Sequence, residues 1–152
     1  MTALLATPIP AEPPLVTRLV EAHGAVRLDE AGFDAFVRAP GEAALFFTED
    51  PMRFREVTDV AVILPELAAA ASRTFRIGVL PPPLANAMAA TYGVRRWPAL
   101  VFLRGGEWLG NIEGLRDWSD YLAAVDALVE GATHPLPARV IPLAVAGAPS
   151  CA

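Results

Sequence analysis

Short apolar runs alternate along this chain with segments in which apolar residues recur every three or four positions. Leu15, Leu19, Val20 and Ala22 fall at helical spacing, and His23-Gly24 closes that segment with a residue type that tolerates a left-handed cap. Ala25 to Leu28 is a short strand candidate. Asp29 is placed to cap a second helix carrying Phe33, Phe36 and Val37, which ends before Pro40. Ala43 to Phe47 reads as a buried strand, followed by an irregular polar section from Thr48 to Asp59. Asp59 is an N-cap for Val60 to Ala71, where Pro65 should kink the helix or delay its start. Phe75 to Leu80 alternates as a strand and stops at Pro81-Pro82-Pro83, and Leu84, Met88 and Tyr92 form a helical row ending at Gly93.

The stretch Tyr92 to Gly114, YGVRRWPALVFLRGGEWLGNIEG, is a β-hairpin approached through a proline. Ala99 to Leu103 is continuously apolar, as in a strand buried on both faces. Gly105-Gly106 supplies a tight turn, and Trp108, Leu109 and Ile112 mark the return strand. Pro98 lacks an N–H and belongs at the strand's first residue or outside it, which leaves Arg95-Arg96-Trp97-Pro98 as a loop at one end of the sheet. Trp118, Tyr121, Leu122, Val125, Leu128 and Val129 have the spacing of a final amphipathic helix, with Asp117 near its start. A short helix followed by β-α-β-α-β-α-β-β-α predicts an α/β fold, with a mainly parallel sheet and an antiparallel hairpin at its edge.

Composition narrows the function. The 152 residues, 54% hydrophobic and 19% charged, suffice for one domain with a substantial core, expected over 15–131. Residues 1–14 lack a basic segment and are broken by four prolines, so they read as a flexible leader rather than a secretory signal. Residues 132–152 form a proline-rich tail, disordered or laid along the domain through Val140, Ile141, Leu143 and Val145. No stretch approaches the roughly 20 apolar residues of a membrane span, which predicts a soluble cytoplasmic protein without stable membrane insertion. A net charge of −5 argues against nucleic acid as a partner. All twelve basic residues are arginine, a bias ascribed to codon composition rather than function. Cys151 is the lone cysteine, which excludes internal disulfides and a Cys-X-X-Cys pair, and it lies too close to the end for a prenylation box. His23 and His134 are isolated, so neither a metal site nor a cofactor is expected.

The order of elements and the segment Tyr92 to Phe102, followed by Gly106-Glu107 and Gly114, resemble the second half of thioredoxin. The resemblance implies a thioredoxin-like fold, a central mixed sheet flanked by helices with a C-terminal hairpin and helix. It also implies a cis Trp97-Pro98 bond, whereas X-Pro bonds in general are cis about 5–6% of the time. Where the redox motif should follow Phe47, Glu49-Asp50-Pro51-Met52-Arg53-Phe54 holds no cysteine, and disulfide exchange needs a thiolate.

Asp50-Pro51-X-Arg53, Glu56-Val57-X-Asp59, Val62-Ile63-X-Pro65-Glu66-Leu67, Tyr92-Gly93-Val94 and Trp97-Pro98-Ala99 together are similar to hydrogenase expression/formation proteins of the HupG/HyaE type, over about Gly41 to Gly131. That resemblance implies a non-enzymatic chaperone for maturation of [NiFe] hydrogenase, which holds the small-subunit precursor and its twin-arginine export signal. The residues placed in that role are Glu49, Asp50, Arg53, Trp97 and Pro98: carboxylates for paired arginines, and an indole for an apolar segment. Against each stands a plainer reading, a solvated loop for the acids and a packed ring for Trp97, with Trp108 and Trp118 as core or edge packing. Arg95 and Arg96 oppose a cationic ligand unless they point away or pair with Asp50 or Asp59. The alternatives are a redox-inactive adaptor for another protein, or a thiol- or glutathione-dependent oxidoreductase with Thr48 or Thr58 as the nearest hydroxyl and no base beside it.

Overall fold

The computed structural model describes residues 11–137. Ten elements follow in the predicted order: α1 (Pro14–His23), β1 (Val26–Arg27), α2 (Phe33–Arg38), β2 (Glu42–Phe47), α3 (Glu56–Ala70), β3 (Arg76–Leu80), α4 (Pro82–Tyr92), β4 (Ala99–Arg104), β5 (Glu107–Glu113) and α5 (Trp118–Val129). The strands form one sheet in the order β1-β3-β2-β4-β5.

Two strand pairs are parallel, β1 with β3 and β3 with β2, and two are antiparallel, β2 with β4 and β4 with β5. The expectation of a mainly parallel sheet with an antiparallel edge is thus corrected. The hairpin supplies two of the five strands, and β4 lies antiparallel against β2 at the centre, so half of the strand pairings are antiparallel. Strand and helix periodicity record that a crossover exists, not the end of the sheet to which it returns the chain.

Alternation along the central strands divides the core. Ala44 and Phe46 of β2 join Leu100 and Phe102 of β4 beneath α1, α3 and α5, where Val16, Leu64 and Tyr121 pack. Leu45, Phe47, Val101 and Leu103 face the other way, onto Phe33 and Val37 of α2 and Ala85 and Tyr92 of α4. Both faces of β2 and β4 are therefore covered, which explains their unbroken apolar sequence.

Three local expectations change. Asp29 caps the turn before α2, since its carboxylate accepts from the Gly32 N–H at 2.7 Å and the helix starts at Phe33. α3 starts at Glu56, earlier than the expected cap at Asp59, and contains Pro65. The carbonyl of Asp50 accepts from the N–H groups of Arg53 and Phe54, so the chain is already wound before the helix, and Val57 is fully buried on it. Trp118 is 44% exposed rather than packed, because α5 buries Tyr121, Val125 and Val129 instead.

Two close approaches tune the sheet. Gly105 and Gly106 both take positive φ, 57° and 90°, as the hairpin turn requires. Gly78 on β3 sits where a Cβ would stand 2.7 Å from Phe36 and 2.8 Å from Leu28. At the opposite corner Arg104 donates to Glu42 at 2.8 Å and to the carbonyls of Val129 and Gly131 at 2.7 and 3.0 Å, a cation on the C-terminal end of α5. The hydrogen bond from Arg104 holds the Glu42 carboxyl below the usual carboxylate range.

Gly78→Ala should destabilise the fold by about 1–3 kcal/mol, the usual cost of overfilling a packed site, read from chemical denaturation. Because folding depresses the Glu42 pKa, its contribution is present above the unfolded carboxylate value of about 4.3 and is lost as pH falls through the folded value. Denaturation midpoints should therefore drop between about pH 5 and about pH 3, and Glu42→Gln should make that drop shallower.

Candidate functional site

The register of β2 on β4 ends with Phe47 opposite Ala99, which brings the loop after β2 to the same end of the sheet as the loop before β4. Thr48 opens the first loop and is buried. Its hydroxyl donates to the Leu80 carbonyl at 2.7 Å, and its N–H reaches the same oxygen at 3.2 Å. The next two residues are half-buried acids. Glu49 accepts from the Asp50 N–H at 2.9 Å through one oxygen and from the Asn86 amide at 2.7 Å through the other. Asp50 turns its carboxylate onto the Met52 N–H at 2.9 Å, an Asx-type turn that leaves Met52 86% exposed.

From Arg53 onward the loop faces the other segment. The Arg53 guanidinium lies 5.2 Å over the Phe54 ring, and that ring lies 6.3 Å from Trp97. Trp97 is half-buried, and its indole N–H is buried without an acceptor among the described residues. The Trp97-Pro98 bond is cis, as the thioredoxin resemblance implied, and Pro98 is buried. Its carbonyl accepts from the Gly114 N–H at 2.8 Å.

The five predicted residues therefore form two groups. Arg53 and Trp97 meet through Phe54, with Pro98 beneath. Glu49 and Asp50 are held by loop amides and by α4. Arg95 and Arg96 are exposed and, among the described residues, pair with neither Asp50 nor Asp59; the Arg96 N–H is instead bound by Glu113 at 3.1 Å.

A cavity of about 350 Å³ adjoins the second group, walled by Pro13, Val16, Pro51, Pro81 and Pro82, with Thr48 and Glu49 at one side. Glu12 and Arg27 also line it and are joined by two hydrogen bonds, of 2.8 and 2.6 Å. The bond from Arg27 lowers the Glu12 pKa, and the same contact raises that of Arg27. Sequence reasoning missed this wall and missed Asn86. Glu12 precedes α1 and Arg27 lies fifteen positions on in β1, a pairing that no local spacing reports. Asn86 left one trace, an amide amid the apolar residues that follow the proline run.

A family model described as Hydrogenase-1 expression protein HyaE matches residues 15–121. The chain belongs to that family. It is 39% identical over 152 residues to the hydrogenase expression/formation protein HoxO of Cupriavidus necator, covering 97% of this chain and 94% of that one. It is 40% identical over 112 residues to the hydrogenase expression/formation protein HupG of Bradyrhizobium diazoefficiens, covering 71% and 76%. A thioredoxin variant from Halobacterium salinarum superposes with a TM-score of 0.57 at 18% identity, over 71% of this chain and 93% of that one, which establishes a thioredoxin-like fold. Membership of the HyaE family makes the chain an accessory protein of hydrogenase expression and formation.

Within that family fold, Asn86 positions Glu49. Asn86→Ala should cost about 0.5–1.5 kcal/mol, the worth of one hydrogen bond, and should shift the NMR amide signals of Glu49 and Asp50 while those of β4 stay in place.

Proposed function

We propose that the chain is a non-enzymatic chaperone that holds the hydrogenase small-subunit precursor in the cytoplasm, with the twin-arginine export signal at Glu49 and Asp50. The observation that carries this reading is the cysteine-free loop at the point where a thioredoxin fold keeps its redox pair. Its two carboxylates are already oriented, one by Asn86 and one by the Met52 amide. A carboxylate held in place loses less rotamer entropy when a guanidinium arrives, and each still has lone pairs for a charge-assisted bond. The apolar cavity beside Glu49 and the exposed Met52 suit the aliphatic residues of an export signal.

A catalytic reading lacks its chemistry. The hydroxyl of Thr48 is spent on the Leu80 carbonyl inside the core, and that of Thr58 donates to the Arg55 carbonyl at 3.0 Å. Neither bond involves a basic side chain that would activate a nucleophile.

A synthetic peptide carrying the small-subunit export signal should shift the NMR signals of Glu49, Asp50 and the cavity residue Val16. Glu49→Gln with Asp50→Asn should weaken its binding by about tenfold or more, consistent with about 1.5–3 kcal/mol per bond to a charged group. Absence of any shift at large peptide excess would refute signal binding. Recovery of the precursor by affinity capture after deletion of its signal would then assign the contact to the folded body of the small subunit.

A further inference from the structure

Ala11, Glu12 and Pro13 belong to the wall of the cavity that Val16, Pro51, Pro81 and Pro82 complete. Polar contacts fix them there. The two oxygens of Glu12 accept from the Arg27 guanidinium at 2.8 and 2.6 Å, and one of them also accepts from the Thr17 hydroxyl at 2.6 Å. The Pro13 carbonyl accepts from the N–H groups of Val16 and Thr17, the first bonds of α1. The chain ahead of α1 is therefore led out at the rim of the cavity. Residues 1–10 lie outside the described residues and are tethered at that rim.

The sequence of this segment matches what the cavity offers. In MTALLATPIP no side chain is charged, and Leu4, Leu5 and Ile9 are apolar. Prolines and Val16 make most of the cavity wall, and the charged groups on it are already compensated. Glu12 and Arg27 bind each other, and Glu49 is held by the Asp50 N–H and the Asn86 amide. A neutral apolar segment enters such a site without stripping water from an unpaired charge.

Reach favours the same occupant. Ile9 stands two residues before Ala11, so its Cα lies within about 7 Å of a residue that lines the cavity. Pro8 and Pro10 fix their own φ and bias the residues before them toward extended backbone, which lowers the entropy lost when Ile9 is held. So short a tether gives the segment an effective concentration on the order of millimolar at the cavity. The C-terminal residues leave instead from beside β5, at the edge of the sheet opposite β1.

We propose that residues 1–10 occupy this cavity in the free protein, with the Ile9 side chain against Val16, Pro51 and Pro81, and that an apolar segment of the partner must displace them. The displacement rests on the reading that places an export signal beside Glu49. The intramolecular contact does not.

The test uses the full chain. Ile9→Asn, a neutral change that leaves the Glu12 to Arg27 pair its charges, should shift the NMR amide signals of Thr48 and Glu49 and the methyl signals of Val16. Signals of Arg104 and Gly131, at the opposite corner of the sheet, should stay in place, and Ile9→Leu should leave all of them near their original positions. The synthetic export-signal peptide should bind the Ile9→Asn chain about fivefold more tightly than the unsubstituted one, because the fraction of open cavity rises. Cavity signals indifferent to Ile9→Asn would overturn the contact. So would the same shifts on Ile141→Asn, which would give the cavity to the C-terminal residues, or shifts that grow with protein concentration, which would give it to a second copy. A peptide that binds both chains equally would overturn the displacement. If neither chain takes the peptide, the signal reading fails, and the Ile9→Asn shifts decide the intramolecular contact alone.

Discussion

The pairing of Phe47 with Ala99 is the constraint from which the functional end of the molecule follows. Both strands are buried on both faces, so a slip of one residue would exchange every side chain between the two cores at once. That all-or-none register holds the loop after β2 beside the cis-proline loop without any covalent link. It also leaves no room for ligand contacts on the strands themselves. At this end the accessible side chains come from the loops and from the first turns of the helices they enter.

On that end the polar groups divide by hydrogen-bonding character. Acceptors collect on one side, where Glu49 and Asp50 are held by Asn86 and by backbone amides. Donors lie on the other, where the guanidiniums of Arg53 and Arg96 form no ion pair and the buried indole N–H of Trp97 has no acceptor among the described residues. A thioredoxin-like scaffold without its cysteines thus presents two opposite polarities a few residues apart.

The fold was readable to the extent that its rules are local. Period-2 and period-3.6 patterns gave all ten elements in order, since each buries its own apolar face. Strand direction was not local, and β4 therefore runs antiparallel to the central β2 against expectation. The start of α3 was missed for a related reason: the Asp50 carbonyl winds the preceding loop, and no side-chain pattern marks a backbone acceptor. In the site, the absence of cysteine and the Trp97-Pro98 step were visible in sequence, whereas Asn86 and the Glu12 to Arg27 pair depend on tertiary contact. Arg95 and Arg96 were visible as an obstacle to cationic ligands, whereas the binding of the Arg96 N–H by Glu113, rather than a pairing with Asp50 or Asp59, depends on tertiary contact.

The segment after α5 has a consequence for how this molecule meets others. His134 donates its N–H to the Trp108 carbonyl at 2.7 Å on the open side of β5, and its ring packs edge-on to the indole. Pro135 and Pro137 follow that single bridge and have no N–H to lengthen it, and Pro137 lies close against Gly93. The sheet's last strand is thereby sealed over its first turnward residues by a strip that cannot itself recruit another strand. Fibre-like stacking and swapped hairpins are discouraged along that margin. The exposed strands of another molecule thus find this stretch of the edge already occupied.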